Sequence, residues 1–265
     1  MKLHRIQAIL LQEFFMMRRS LETLIDVFVY PIMNIIVFGF ISKYLLGSTN
    51  QGAFISLIVG MLFWQIFSTA QYTVSVATLW NMWSHNLTNL FASPISLAEY
   101  FFAHALTALI KALLVFGIGS LIAYLQFGYS VIQLPFFFLL VMILNLYLSG
   151  IAIGLVLIGF IFAKGTRIQA LTWGFISIIQ PLASVFYPLA ILPEPFQSFA
   201  RALPLTYMFE ALRQTIHDGA VLPASQQLLF TGSIITLIYL LLSLIFFKYL
   251  IDSSRTSGQF AKNDL

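Results

Sequence analysis

The stretch "GAFISLIVGMLFWQIFSTAQYTVSVATLW", residues 52–80, contains no Lys, Arg, Asp or Glu. The charge-free run continues on both sides and extends from Tyr44 to Ala98. A membrane-spanning helix needs ~20 predominantly apolar residues, so this run is long enough for more than one span. Its apolar residues are continuous and do not alternate as they would in a membrane β-barrel. The stretch therefore predicts an all-α polytopic membrane protein.

The composition of the whole chain supports the same class. Apolar residues make up 60% and charged residues only 8% of the 265 residues, with a mean hydropathy of +0.94. Most soluble folds do not avoid charge to this degree. The absence of cysteine excludes disulfides and thiolate metal sites. The net charge of +4 is spread along the chain, so nucleic acid is not an expected partner.

Hydropathy predicts six transmembrane helices within a single transmembrane domain, residues 1–265. Pro31, inside the first span, predicts a local irregularity of that helix. The six predicted spans cover residues 25–46, 54–79, 100–125, 135–163, 168–190 and 228–251.

The first 22 residues are too charged to span and predict a helix on the membrane surface. At ~3.6 residues per turn, one face collects the apolar residues Ile6, Leu10, Phe14 and Met17. Three basic residues suit an anionic leaflet, namely Arg5, Arg18 and Arg19.

The distribution of Lys and Arg among the inter-span segments favours both termini inside the cell. Two inter-span segments are long: residues 80–98 then lie inside and residues 191–227 outside. No part of the chain is left for a soluble nucleotide-binding domain. Any energy-converting domain must therefore be a separate chain.

No catalytic or metal site is predicted. Lys164 and Gly165 stand in transposed order relative to a phosphate-binding Gly-x-x-x-x-Gly-Lys-Ser/Thr loop, and no strand precedes them. The four histidines lack metal-ligand spacing, and no Gly-x-Ser-x-Gly elbow occurs. Lys111 lies within the third span, where a charge is costly. Pairing with a partner in the bundle or snorkelling is favoured over contact with a substrate.

The inner segment predicts a short helix that docks into another protein. A helix-compatible run from Asn86 ends at Ser93-Pro94, and Ser96 with Glu99 forms a capping-box pattern for the next span. Exposed Leu90 and Phe91 would suit a partner's groove. From the residues alone, a plain interfacial loop remains an equal alternative.

The outer segment is divided by prolines into pieces too short to cross the bilayer. Such pieces can re-enter the membrane where protein shields their ends. Residues 205–216 predict an amphipathic helix with a Glu210–Arg213 pair on its polar flank and a stop at Gly219. That flank also contains Thr206 and His217.

Both segments resemble motifs of the type-2 ABC exporter permeases, which are bacterial membrane subunits that move drugs, lipids or polysaccharides. "NLTNLFASPIS", residues 86–96, is similar to their cytoplasmic coupling segment, where an Asn-Leu or Gly-Thr-Leu-Glu type run leads to Ser-Pro-(Leu/Ile)-Ser. "LPLTYMFEALR", residues 203–213, is similar to their Asn-Pro-Leu-Thr-Tyr-x-x-Glu-x-x-Arg stretch, with Leu203 in place of the common Asn. The resemblance covers nearly the whole chain.

This resemblance implies a homodimeric path in the bacterial inner membrane, two cytoplasmic ABC ATPase subunits as partners, and contact with membrane lipids. ATP and Mg²⁺ would be bound by the ATPase, so the permease itself needs no cofactor and is not an enzyme. The implied coupling residues are Asn86, Leu87, Asn89, Leu90, Phe91, Ser93 and Pro94. The implied outer-gate residues are Pro204, Leu205, Thr206, Tyr207, Glu210 and Arg213.

Two other classes of function stay open at this point. An ion-coupled secondary transporter would be expected to hold acidic residues within its spans. A non-transporting scaffold would associate with partners without stimulating ATP hydrolysis. Composition does not separate drug, lipid and polysaccharide as substrates, because aromatic residues also serve as ordinary span packing.

Overall fold

The computed structural model of the protein describes residues 2–46 and 51–256. Within these ranges the chain is almost entirely helical and contains no strand, which confirms the all-α prediction. The helices of the described part are α1 (Leu3–Arg19), α2 (Leu21–Leu24), α3 (Tyr30–Leu46), α4 (Gln51–Trp83), α5 (Leu87–Ala92), α6 (Leu97–Phe127), α7 (Phe136–Lys164), α8 (Leu171–Leu182), α9 (Glu194–Ala202), α10 (Pro204–Asp218) and α11 (Pro223–Thr256).

Five helices in the described part of the chain are long and apolar enough to cross a membrane. They coincide with five of the six predicted spans. These candidate spans are Leu21–Tyr44, Gln51–Trp83, Leu97–Phe127, Phe136–Lys164 and Pro223–Thr256.

The predicted span over residues 168–190 is not confirmed. It contains α8, a helix of 12 residues, which covers only ~18 Å at 1.5 Å per residue. Pro181 lies in its last turn, and the chain then passes through turns in which Ser184 has a positive φ of 56°. Since the helical ladder ends there, α8 by itself is too short for a hydrocarbon core of ~30 Å.

The first span contains the irregularity that Pro31 predicts. Residues Ile25–Val29 form a π-helical turn between α2 and α3, and the Tyr30 N–H bonds to the Ile25 carbonyl. Proline has no N–H to donate, so the regular α ladder cannot continue through position 31. The π turn places Asp26 on the inner side of this helix.

Helices α4 and α7 form the centre of the bundle. In their most apolar windows 72% and 78% of the residues are buried, against 22–33% for the other three candidate spans. A Cβ at Gly150 of α7 would lie 2.6 Å from the Phe67 carbonyl oxygen of α4, so glycine permits this close crossing. The outer helices expose apolar side chains, as lipid-facing helices do.

Side-chain contacts place the two long inter-span segments at opposite ends of the bundle. At one end the Trp83 Nε1–H donates to Gln169 at 3.1 Å, and Ser254 donates to the Phe162 carbonyl at 2.7 Å. This end includes residues 80–98. At the other end Met208 of α10 packs against Gly232, near the start of α11.

Candidate functional site

The inner segment folds as a short helix followed by a rigid corner. Helix α5 ends at Ser93, as the Ser-Pro pair predicts. The capping box is present: the Glu99 N–H donates to Ser96 Oγ at 3.2 Å, and the Ser96 N–H donates to the Glu99 carboxylate at 3.0 Å. At the start of α5, the Asn86 side chain donates to Asn81 Oδ1 of α4 at 3.2 Å. Hydrogen bonds therefore connect both ends of the segment to the adjoining long helices.

The prediction that Leu90 is exposed is wrong. Leu90 is only 8% exposed, because α1 packs over this face of the segment. Asn89 and Pro94 are exposed and Ser93 is half-buried, whereas the side chains of Leu87 and Phe91 lie outside the described part of the structure. The buried cluster consists of Ile6, Ile9, Leu90, Tyr100 and Ala103.

Glu99 joins the N-terminus to this corner. Its carboxylate accepts a hydrogen bond from the Lys2 backbone N–H at 2.7 Å and from the Arg5 guanidinium at 3.2 Å. Arg5, predicted to meet an anionic leaflet, thus contacts a protein carboxylate. Arg18 and Arg19 lie in the last turn of α1 and are exposed.

A buried ion pair connects α1 to the middle of α6. Lys111 Nζ lies 3.0 Å from Glu13 Oε2, and both side chains are at least nine-tenths buried. His104 Nδ1 lies 3.6 Å from the other oxygen of Glu13. The hypothesis that Lys111 pairs within the bundle is confirmed, and its partner is on the segment that was predicted to lie on the membrane surface.

The buried face of α1 is rotated relative to the predicted apolar stripe. Ile6 is buried as part of that stripe, but Phe14 is 51% exposed. Glu13, an acidic residue outside the stripe, is buried in its place. A lone surface helix would not bury a carboxylate, so the position of Lys111 determines which face of α1 turns inward.

Replacing Glu13 with Ala should destabilise the protein by ~3–5 kcal/mol, because Lys111 would remain as an uncompensated buried charge. The measurement is thermal unfolding of the detergent-purified chain, followed by helical circular dichroism. Glu22→Ala, at an exposed glutamate, is the matched control and should stay within ~0.5 kcal/mol.

The double variant Glu13→Leu with Lys111→Leu should recover most of the lost stability, because it removes both charges together. Equal midpoints for Glu13→Ala and the wild type would contradict the structural role of the pair.

The outer segment folds as predicted around α10. The helix runs from Pro204 to Asp218 and ends at Gly219, whose φ is 68°. Leu205 and Met208 are buried against the bundle, and the ring of Phe209 lies 6.4 Å from that of Trp64 in α4. The predicted amphipathic face is confirmed.

The Glu210–Arg213 pair holds a loop in place. The Arg213 guanidinium donates to Glu210 at 2.8 Å and to the Ser184 carbonyl at 2.7 Å, while Glu210 accepts from the Leu189 N–H at 2.8 Å. Both side chains and two backbone groups of the turn after α8, the Ser184 carbonyl and the Leu189 N–H, thereby have hydrogen-bond partners. These contacts give the pair a structural role.

The remaining polar residues of α10 serve different purposes. Thr206 is buried, and its hydroxyl donates to the Ala200 carbonyl at 2.6 Å, which fixes α9 against α10. Tyr207 donates to the Arg201 carbonyl at 2.9 Å. His217 is exposed and contacts its neighbour Asp218.

Glu210→Ala or Arg213→Ala should release the turn at residues 184–189. The loss of these hydrogen bonds is expected to lower the local opening free energy by ~1–3 kcal/mol. Hydrogen exchange at the Leu189 amide should accelerate correspondingly, by roughly 5- to 150-fold. His217→Ala is the control and should leave the rate unchanged. Equal exchange in all three variants would rule out this clamp.

A polar groove runs along the first span, α4 and α8. It has a volume of about 580 Å³. On α4, its polar lining residues Gln65, Ser68, Thr69 and Tyr72 follow helical i, i+3, i+4 and i+7 spacing near the middle of the helix. The Tyr72 hydroxyl donates to the Asp26 carboxylate on the π turn. Across the groove, α8 contributes Ser177 and Gln180.

Two buried polar atoms of the groove residues have no hydrogen-bond partner within the protein, namely Gln65 Nε2 and Thr69 Oγ1. Unpaired polar groups in a membrane-spanning helix are costly and are associated with function. In the described ranges, no three His, Asp or Glu side chains gather as a metal site would require. Both unpaired atoms are buried beneath the groove, whose accessible polar surface comes from other lining residues such as Ser68, Ser177 and Gln180.

Sequence reasoning missed three of these features. Glu13 was assigned to a surface helix, and Asp26 was given no role. The polar stripe of α4 was visible as residues 65, 68, 69 and 72 within the charge-free run. The helical spacing of these residues could have predicted a polar face on α4. Which residues of the first span and α8 lie opposite that face depends on packing, so spacing could not have predicted them.

Comparison with known families places this geometry in context. A family model described as ABC-2 type transporter matches residues 4–217. The match includes the inner segment, the polar groove and nearly all of α10. A comparison with curated proteins found no match.

Proposed function

The chain belongs to the ABC-2 type transporter family, and from that premise we propose that it forms half of a dimeric, ATP-driven exporter. As a member of that family it is a multi-pass membrane permease and is not itself catalytic. The proposed assembly contains two permease copies and two cytoplasmic ATPase subunits, which bind ATP and Mg²⁺. Its proposed location is the bacterial inner membrane with both termini inside.

The polar groove is the observation that carries this proposal. It lies near the middle of α4, where a lipid tail could not satisfy the half-buried Ser68, the exposed Ser177 or the Asp26–Tyr72 pair. A second permease copy that faces the groove would remove these groups from lipid. Two such grooves would then enclose a path with polar walls for the substrate.

The inner corner is suited to transmit force from an ATPase. Residues 86–94 are connected to α4 through Asn86 and to α6 through the capping box, and α1 packs over Leu90. A push on the exposed Asn89 and Pro94 therefore reaches three helices at once. Nucleotide can drive this movement only by favouring one arrangement of the helices over the other.

The outer segment is proposed to gate the path. Helices α9 and α10 are too short to cross, and Glu210 with Arg213 holds the turn after α8 against α10. A sixth crossing would combine α8 with the turns that follow it. Movement of α8 would thus be passed directly to the outer helices.

The coupling role predicts that Asn89→Trp weakens co-purification of the permease with its ABC ATPase subunit. A loss of about tenfold or more is expected, since one central contact often contributes ~1.4 kcal/mol or more. Gln227→Trp, an equally bulky change at an exposed site of the opposite end, is the control. Leu90→Asp should instead destabilise the permease, because Leu90 is buried. Unchanged co-purification of Asn89→Trp would contradict the coupling assignment.

If the substrate passes along the polar groove, Ser177→Trp should block transport, because the larger side chain fills the groove from α8. The complex with the ATPase should stay assembled. Ser233→Trp places the same bulk in α11, away from the groove, as the control. Proteoliposomes containing permease and ATPase would be supplied in turn with a cationic dye, a fluorescent phospholipid and a lipid-linked oligosaccharide. The initial rate for the transported probe should fall about tenfold or more in Ser177→Trp, and tenfold equals ~1.4 kcal/mol.

The same assay separates the competing functions. Uptake that needs ATP supports the exporter. Uptake driven by a proton gradient without ATP would identify a secondary transporter instead. An assembled complex that moves none of the probes and shows no stimulated ATP hydrolysis would favour a scaffold.

A further inference from the structure

A second groove lies between α6 and α11 and differs in chemistry from the polar one. It has a volume of about 610 Å³, within the range of ~300–1,000 Å³ that is usual for ligand sites. Its floor consists of Val74 of α4 with Ile151 and Leu155 of α7. Phe101 of α6 and Phe247 of α11 meet edge to face at 4.6 Å between ring centroids. The lining is apolar over most of its length.

Charged residues occur at only one end of this groove, among its described lining residues. Lys248, Asp252 and Arg255 lie there in the last turns of α11, and all three are exposed. The end carries two positive charges and one negative charge. It lies beside Leu97 and Ala98 at the start of α6, which is the end of the bundle that contains the inner segment.

We infer that this groove binds one anionic glycerophospholipid of the inner leaflet. An acyl chain would occupy the apolar length, and the phosphate would lie beside Lys248 at the charged end. Basic pockets between membrane helices on the cytoplasmic side are suited to phosphate head groups. Asp252 disfavours further negative charge, so a singly charged head group is the best match. The inference rests on the proposed orientation for its choice of leaflet, but it does not require ATPase coupling.

The position of the groove argues for lipid over a second permease copy. Tyr72 of α4 lines the polar groove, and Val74 of α4 lines the apolar one. At ~100° per residue, side chains two positions apart point ~200° away from each other around the helix axis. The two grooves therefore lie on opposite sides of α4. A second copy that covers the polar groove leaves the apolar groove facing the bilayer.

The purified permease, without ATPase, would be placed in nanodiscs of mixed phosphatidylglycerol and phosphatidylethanolamine, and its retained lipids counted by native mass spectrometry. The wild type should retain one phosphatidylglycerol per chain in preference to phosphatidylethanolamine. Lys248→Gln should weaken this retention about fivefold, and Asp252→Asn should strengthen it. Lys164→Gln, at an exposed lysine outside the groove, is the matched control.

A variant that fills the groove tests the acyl-chain site independently of charge. Ala98→Trp should lower the retention of both lipids, whereas Ala224→Trp, exposed at the opposite end, should not. Equal retention of the two lipids together with no response to Lys248→Gln would overturn the inference. Loss of a dimer mass in Ala98→Trp would overturn it too, by assigning the groove to a second copy. Because the permease is tested alone, failure of the exporter proposal would leave these results unchanged.

Discussion

Inside a hydrocarbon layer there is no water to satisfy a polar group, so each one requires a partner within the protein or a role that justifies its cost. This constraint explains why the described part of the chain is almost entirely helical. It also explains the pairs Glu13–Lys111 and Asp26–Tyr72, each of which brings a carboxylate to a helix of the bundle. The polar stripe of α4 is only partly satisfied in this way, since Gln65 Nε2 and Thr69 Oγ1 have no hydrogen-bond partner within the described protein.

The same constraint connects α1 to α5 and α6 at the inner end of the molecule. Lys111 requires a carboxylate, and Glu13 supplies it only when α1 lies along α6. In that position α1 buries Leu90 and brings Arg5 and the Lys2 N–H to Glu99. The corner at Ser96 and Glu99 is consequently held against α1, because the charge of Lys111 in α6 requires Glu13. A partner that docks on its exposed residues would move α1, α4 and α6 together.

At the outer end, Glu210 and Arg213 stabilise a turn of the backbone instead of neutralising a charge on another helix. Glu210 and Arg213 satisfy backbone groups of the irregular chain after α8, where a helix broken near Pro181 leaves N–H and C=O groups unpaired. The Glu210–Arg213 pair therefore holds the turn after α8 against α10.

Several features were determined by the sequence alone, since each depends on neighbours in the chain. Continuous hydropathy predicted six spans, five of which the structure confirms. Ser96 with Glu99 predicted the start of α6, and residues 205–216 with Gly219 predicted the helix α10 and its i, i+3 pair. What the tertiary structure alone decided was which groups meet across helices. These are Glu13 with Lys111, Leu90 beneath α1, and the residues of the first span and α8 that complete the groove with the stripe of α4. Helical periodicity assigns a residue to a face, but only packing determines what that face contacts.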